Sequence, residues 1–269
     1  MKNIKLLIEY DGTSYHGWQK QRSEARSQKS EVRSQKTILT IQEVLQEAIK
    51  KITGEEAKLI GASRTDAGVH AFGQVASFKT NSHLELATLQ RALNALLPDD
   101  IRILDASAVK ETFHPRYDAA NKTYFYLIAN MSISSAFLYR YSLRVPYKLD
   151  LDIMKEAGEL LQGRHDFSAF KGAGCGAKTT MREIISLDVE KLDKIDFMTV
   201  GINGNFIRIR IAANAFLRHM VRNIVGTLIE VGRGKMTVHS ISEAFKHGDR
   251  KKVGPTAPAK GLFLEGIKY

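Results

Sequence analysis

A short segment rich in small residues carries the side chains of this chain that are best suited to chemistry. Gly61–Phe78 reads GASRTDAGVHAFGQVASF and holds two charged residues, Arg64 and Asp66. Their separation by two positions places both side chains on the same side of an extended segment. The glycines allow the backbone to approach a ligand closely. An aspartate kept ionised by a neighbouring cation can act as a nucleophile or a general base, so the segment predicts a carboxylate site centred on Asp66.

Two other interpretations of this segment stay open on residue chemistry alone. The same residues could form a structural turn with a surface ion pair. Asp66 and His70 also have the i, i+4 spacing of helical metal ligands, but that pair is one ligand short at best. Gly68 disfavours a helix between them. We therefore expect no metal site here.

Two further segments place cations next to aromatic or apolar residues. Phe113–Ile128 reads FHPRYDAANKTYFYLI, in which Tyr124 and Tyr126 alternate as they do in a strand. Rings of this kind can stack on an unpaired base for roughly 1–3 kcal/mol each, although an average aromatic residue of such a strand is more often part of a core. Arg222 lies at the edge of the apolar face of a helix predicted over Phe216–Val231. A partly buried arginine needs an anion, either a carboxylate or a phosphate.

Charge and cysteine content limit the class of protein. The 269 residues include 40 Lys and Arg against 29 Asp and Glu, a formal net charge of +11. Such an excess attracts polyanions, nucleic acid among them, without naming one. The lone Cys175 cannot form an intramolecular disulfide or a cysteine-based zinc knuckle, which favours a reducing compartment. No Ser-centred nucleophile elbow of the G-x-S-x-G type occurs.

Targeting and membrane segments are not evident in the sequence. The first apolar run is broken by Glu9 and Asp11, too soon for a signal peptide. No stretch approaches the roughly 20 apolar residues that span a membrane. We expect a soluble, cytoplasmic protein with no membrane partner.

Hydrophobic periodicity predicts an α+β fold. The predicted strands are Ile4–Tyr10, Ile101–Val109, Thr123–Ala129, Ile184–Lys191, Met198–Ile202, Phe206–Ala212 and Gly261–Ile267. The predicted helices are Thr40–Ile52, Leu86–Leu97, Leu151–Leu161, Phe216–Val231 and Thr237–His247. Helices that interrupt runs of strands favour a mainly antiparallel sheet with helices packed on one face. We place the boundary between halves near Pro146, giving residues 1–146 and 147–269.

Eight collinear blocks resemble the TruA family of tRNA pseudouridine synthases. They run from Tyr10 to Tyr269 and read YDGTSYHGWQKQ, TIQEVLQEAI, GASRTDAGVHAFGQVASF, ALNALLPDDI, HPRYDAANKTYFYLI, GRHDFSAF, NAFLRHMVRNIVGTLIEVGRG and GLFLEGIKY. RTDAGVHA is the most specific of them. The chain departs from the family at Arg22–Lys36, which is longer and more repetitive than the expected linker. Its cations could form a weak electrostatic arm near the RNA, but we favour a solvated loop.

The resemblance implies a fold and a reaction that composition does not supply. It implies two related halves around a central basic cleft and a homodimer whose two subunits both contact one tRNA. The reaction isomerises uridine to pseudouridine in the anticodon stem-loop, at tRNA positions 38, 39 and 40. The glycosidic bond is cut, the uracil turns, and carbon 5 is joined to the ribose. Neither a metal nor a redox cofactor is implied.

The resemblance also assigns roles to five residues. Asp66 matches the catalytic aspartate, and Arg222 matches the arginine that pairs with it and keeps it ionised. Arg64 matches the arginine that helps to turn the base out of its stack. Tyr124 matches the tyrosine that packs on the target base, and Leu262 belongs to the apolar wall of the pocket.

Two other functions stay open. A nucleic-acid-binding protein without chemistry shares the charge and the aromatic residues, but it leaves the RTDAG segment unexplained. A cofactor-free nucleoside or glycoside hydrolase shares the carboxylate. Such enzymes use a second acid as a proton donor, and the sequence offers no clear partner for Asp66.

Overall fold

The computed structural model describes residues 1–19 and 39–269. The chain forms two compact units, Met1–Asp118 and Ala119–Tyr269. The boundary that the sequence placed near Pro146 falls inside the second unit. The charged segment Arg22–Lys36 lies outside the described residues, so its interpretation as a loop stays a prediction.

The first unit is built on an antiparallel sheet. Its strands are β1 (Lys2–Tyr10), β2 (Ile60–Gly61), β3 (His70–Thr80) and β4 (Ile101–Val109). Its helices are α1 (Ile41–Thr53) and α2 (Leu86–Leu96). Strand β1 pairs with β3 on one side and β4 on the other, and β2 pairs with β3. Leu6 and Ile8 of β1 are fully buried, so the central strand supplies the core of this unit.

Helix α1 begins and ends as its sequence predicts. The Thr40 hydroxyl accepts from the Glu43 N–H, and the Glu43 carboxylate accepts from the Thr40 N–H, which forms a capping box. Gly54 ends the helix in the left-handed conformation that glycine adopts most readily. The prediction of a helix over Thr40–Ile52 is confirmed to within one residue at each end.

The second unit carries a longer, mixed sheet. Its strands are β5 (Asn121–Ala129), β6 (Leu143–Arg144), β7 (Gly163–Asp166), β8 (Met181–Phe197), β9 (Val200–Ala213) and β10 (Leu262–Lys268). Its helices are α3 (Leu151–Glu159), α4 (Met220–Gly232) and α5 (His239–His247). The order is β10-β5-β9-β8-β7, all antiparallel, and the short β6 runs parallel to β5. Helix α3 packs against both α4 and β8.

Two sequence predictions in this unit are wrong in detail. Met198, predicted to start a strand, lies in the turn of the β8–β9 hairpin with φ of 55°. Helix α4 starts at Met220 rather than Phe216, because His219 adopts φ of 60° and breaks the helical path. The residues before it bond outside the helix, since the Arg218 carbonyl accepts from the Gly172 N–H at 2.8 Å.

The architecture is the predicted α+β class, with a mainly antiparallel arrangement of strands and five α-helices in the described part of the chain. Within residues 1–19 and 39–269, no helix is both long and apolar enough to cross a membrane.

Candidate active site

The Asp66 segment is a tight loop between β2 and β3. The Val69 N–H donates to the Asp66 carbonyl at 3.1 Å, and Gly68 takes a φ of 77° that few other residues adopt. Gln74 is fully buried and holds the start of the loop, since its side chain donates to the Ser63 carbonyl at 2.8 Å and accepts from the Ser63 N–H at 3.2 Å. The loop is therefore a defined turn, as its glycines predict.

A second segment, residues 10–18, packs against the same loop. The Tyr10 and Thr65 hydroxyls are 2.7 Å apart in a buried hydrogen bond. The Trp18 N–H donates to the Thr65 carbonyl at 3.0 Å. A Cβ on Gly17 would lie 2.5 Å from that carbonyl oxygen, so the two backbones meet at a distance that glycine alone permits. The residue before Asp66 is thus anchored by a side chain and a backbone group that are remote in sequence.

His70 belongs to this anchoring. It is almost fully buried, and its Nδ1 accepts from the Gly12 N–H at 3.1 Å. The Asp11 carboxylate lies 3.0 Å from the same nitrogen. His70 therefore holds the Gly12 turn in place beside the loop.

Burial alternates along the loop in the sense that the sequence predicts. Thr65 is buried, whereas Arg64 is exposed and Asp66 is half-buried. Because successive side chains of an extended segment point to opposite sides, Arg64 and Asp66 lie together on the side away from the core. Both charges of the predicted site are therefore displayed by one rigid loop of the first unit.

In the second unit, Tyr124 and Leu262 lie on one face of neighbouring strands. Leu264 is opposite Tyr124, and Leu262 is opposite Tyr126. The Tyr124 ring meets the Phe216 ring edge to face, with centroids 5.2 Å apart and planes at 86°. Leu262 and Tyr124 are each 5% exposed. The two side chains therefore lie on one buried face of the sheet, and the place of Leu262 in a pocket wall stays a prediction.

Tyr126, two residues along the strand, serves the core. It is fully buried, and its hydroxyl donates to the Pro258 carbonyl at 2.8 Å. Burial raises the pKa of the Tyr126 phenol, and the nearby Arg222 guanidinium partly offsets that rise. Arg222 thus lies close to the same face of β5 that carries Tyr124.

Arg222 is held in the first turn of α4 by the segment that leads to β10. Its Nε donates to the Ala257 carbonyl at 2.7 Å, and its carbonyl accepts from the Ala257 N–H at 3.0 Å. This pair of hydrogen bonds uses Nε and orients the guanidinium. The two terminal nitrogens of a guanidinium form the fork that binds a carboxylate in a bidentate manner.

A buried polar network fixes that segment in turn. Asn223 is fully buried, and its amide nitrogen donates to the Phe170 carbonyl at 2.7 Å. Its Oδ1 accepts from the Thr256 hydroxyl at 2.6 Å and from Arg250 at 3.2 Å. Arg250 also donates to the Gly254 carbonyl at 2.7 Å. Sequence reasoning missed this network; the polar Asn223 inside an apolar helix face was the signal for it.

The five predicted site residues therefore fall into two groups. The first unit presents Arg64 and Asp66 on one loop. The second unit brings Tyr124 and Leu262 to one face of β5 and β10, and it binds Arg222 to Ala257, the neighbour of the residue that accepts from Tyr126. The pairing of Asp66 with Arg222 stays a prediction.

Comparison with known proteins identifies the family. A family model described as tRNA pseudouridine synthase matches residues 6–118 and 157–269. The protein named tRNA pseudouridine synthase A from Thermodesulfovibrio yellowstonii is 44% identical over 269 residues, covering 100% of both chains. Proteins of the same name from Thermoanaerobacter sp. and Acetivibrio thermocellus are 46% and 45% identical, again over 100% of both chains.

Among solved structures, the archaeal box H/ACA sRNP Nop10–Cbf5 complex matches 80% of this chain and 55% of that chain, at 16% identity and a TM-score of 0.30. That score is too low to bear on the fold. The sequence relationships extend over the full length and include the Asp66 loop, the Tyr124 strand and the Arg222 helix. This chain belongs to the tRNA pseudouridine synthase family.

Proposed function

We propose that this protein isomerises uridines in the anticodon stem-loop of tRNA, at positions 38, 39 and 40, with Asp66 as the catalytic carboxylate. Family membership establishes the class of enzyme, an isomerase that converts uridine to pseudouridine in tRNA. The target arm and the residue roles are the proposal. The observation that carries it is the loop that displays a half-buried Asp66 beside an exposed Arg64, with the residue before Asp66 anchored to residues 10–18.

The geometry suits a reaction on an extruded base. The glycosidic bond between carbon 1′ and N1 breaks, a new bond joins carbon 1′ to carbon 5, and the hydrogen on carbon 5 leaves to solvent while N1 gains a proton. Because the base must leave its stack first, unstacking costs a few kcal/mol. We assign Arg64 to the vacated place in the stack and Tyr124 to the face of the turned-out uracil, where each offsets part of that cost.

The rigidity of the Asp66 loop supports the role of its carboxylate. A group that must meet one carbon atom of a sugar or a base acts best from a position that is fixed before substrate binds. Thr65, Gly68 and Gln74 each fix one part of the backbone on either side of it. We propose Arg222 as the cation that pairs with Asp66 and keeps it ionised, with its Nε occupied by Ala257.

We also propose that the protein works as a cytoplasmic homodimer, as the family resemblance implies. The formal charge of +11 supports binding of a tRNA polyanion.

Tritium at carbon 5 of uridine in tRNA transcripts tests the catalytic role directly. Wild-type protein is expected to release tritium to water and to leave pseudouridine in the product. Asp66→Asn removes the charge at nearly constant shape, so release falls to background while tRNA binding persists. Asp105→Asn, at an exposed position of β4, is the matched control and keeps full activity.

Three outcomes would count against the proposal. Loss of tRNA binding together with activity in Asp66→Asn makes Asp66 a structural residue. Free uracil in place of pseudouridine indicates a hydrolase. No release by folded wild-type protein from a full tRNA pool indicates a binding protein without this chemistry.

A further inference from the structure

A surface pocket of about 300 Å³ lies at one end of the second unit, outside the residues assigned above. It is lined by Arg164, Thr179, Met181, Arg182, Glu183 and Asn214. Two guanidinium groups, a hydroxyl and an amide are the side-chain donors that proteins use to hold phosphate oxygens. We propose that this pocket binds a backbone phosphate of the RNA substrate, an inference that rests on the proposed function.

The walls of the pocket are held by strand pairing. Arg164 of β7 is directly opposite Glu183 of β8. The Asn214 N–H donates to the Glu183 carbonyl at 3.1 Å, and the Glu183 N–H donates to Asn214 Oδ1 at 3.2 Å. Because Oδ1 faces that backbone, the amide nitrogen of Asn214 is left to donate elsewhere. The two arginines therefore lie on paired strands, and Asn214, just after β9, is tied to β8 by two hydrogen bonds.

The pocket lies at the same end of the sheet as Tyr124. Ile211 of β9 is opposite Tyr124, and Ala213, two residues further along, is opposite Ile184. Neighbouring strands are about 4.8 Å apart and successive residues about 3.3 Å, so the pocket is on the order of 15 Å from Tyr124. A phosphate bound there belongs to a nucleotide a few positions from the target uridine.

The residues that line the pocket carry a net positive charge. Arg164 and Arg182 outnumber the single acid among the lining residues, Glu183. The backbone N–H and carbonyl of Glu183 are engaged with Asn214 whatever its side chain carries. Removing the Glu183 charge therefore raises the local positive potential without removing a wall of the pocket.

Substitutions to glutamine test the proposal by binding and by turnover. Arg164→Gln and Arg182→Gln each are expected to weaken tRNA binding about tenfold at moderate salt. Loss of one phosphate contact also lowers the slope of log K against log salt by about 0.7 to 1. Tritium release at saturating tRNA stays within about twofold of wild type, because these residues do not touch the reacting base. Glu183→Gln is expected to tighten binding by about two- to fivefold.

Arg208→Gln is the matched control. Arg208 lies on β9 opposite Glu190, eight residues along β8 from Arg182 and therefore about 26 Å away. It loses the same charge and an exposed ion pair that contributes little to stability. Arg182→Lys, which retains the charge, is expected to keep most of the affinity.

Several results would overturn the phosphate assignment. Equal effects of Arg164→Gln, Arg182→Gln and Arg208→Gln mean that net charge alone matters. Weaker binding in Glu183→Gln, or a fall in thermal stability with no change of salt slope, makes these residues structural. Inorganic phosphate or uridine monophosphate binding at the pocket while tRNA affinity stays unchanged in the variants makes it a small-anion site. Tritium release by the wild-type protein is measured in the same assays. It tests the proposed function independently, so a failure of the phosphate assignment is not mistaken for a failure of that function.

Discussion

At the scale of single residues, Asp66 and Arg222 share a feature: each is held by a backbone group that is distant in sequence. The carbonyl next to Asp66, that of Thr65, accepts from Trp18. The Nε of Arg222 donates to the Ala257 carbonyl. Fixing the backbone that carries the carboxylate, and the guanidinium itself, before substrate binds removes an entropic cost from the reaction. The groups that do the holding, the Trp18 N–H and the Ala257 carbonyl, are backbone groups of residues with no assigned role in the reaction.

The hydrogen bond at Nε makes arginine and lysine unequal at position 222. Arg222→Lys keeps the charge but has no second nitrogen with which to bind Ala257 while it faces a carboxylate. We expect kcat to fall about 100-fold, with KM for tRNA changed far less. The measurement is tritium release over a range of tRNA concentrations.

Arg233→Lys serves as the control for that substitution. Arg233 follows the same helix and forms a partly buried ion pair with Glu230, in which lysine can supply the positive charge. Turnover in Arg233→Lys should match wild type. An Arg222→Lys protein with unchanged kcat would show that charge alone suffices at this position.

At the scale of elements, the segment from Val253 to Pro258 packs with its backbone directly against the backbone of α4. A Cβ on Gly226 of α4 would lie 1.7 Å from the Pro255 carbonyl oxygen. A Cβ on Gly254 would lie 2.6 Å from the Gly226 carbonyl oxygen. The two backbones are in direct contact, which is why glycine occupies both positions and why Ala257 can reach Arg222.

That contact predicts the effect of one added methyl group. Gly226→Ala forces the segment away from α4, which we expect to lower the free energy of unfolding by about 1–3 kcal/mol. Because the displaced segment carries Ala257, turnover should fall even at temperatures where the protein is fully folded. Urea unfolding and tritium release together measure both effects.

Gly176→Ala is the comparison for this experiment, since a Cβ there meets nothing within 4 Å. Its stability and turnover are expected to equal those of wild type. If Gly226→Ala behaves in the same way, the close contact between α4 and the segment does not position Arg222.

At the scale of the whole molecule, charge and assembly are the properties that bear on tRNA. An excess of 11 positive charges speeds the encounter with a polyanion and makes binding depend on salt. The proposed homodimer determines how many chains one tRNA contacts. We expect light scattering at the concentration of the activity assay to give the mass of two chains.

Dilution of the protein tests whether activity depends on the dimer. Specific activity per chain should fall at concentrations where the mass falls to that of one chain. Full specific activity in solutions that contain single chains would contradict a requirement for the dimer.

The sequence alone predicted the family, the α+β class and most of the local structure. The RTDAG segment singled out Asp66 as a candidate, because a carboxylate beside a cation and flexible glycines is a local pattern. Helix α1 was predicted from its apolar spacing and from Gly54, since both act within a few residues. The Arg22–Lys36 interpretation, the boundary near Pro146 and the residue roles stay predictions.

Tertiary structure decided what distant residues do to one another. The start of α4 was predicted four residues too early, because the apolar period continues through Phe216 while the Gly172–Arg218 hydrogen bond and the φ of His219 stop the helix. The hydrogen bond from Arg222 to the Ala257 carbonyl could not be predicted from the sequence either. Periodicity reports which face of an element is buried, but not which backbone carbonyl from elsewhere in the chain will lie against it. Those partners are set by the packing of elements that are distant in sequence, so the geometry around Arg222 depends on the tertiary structure.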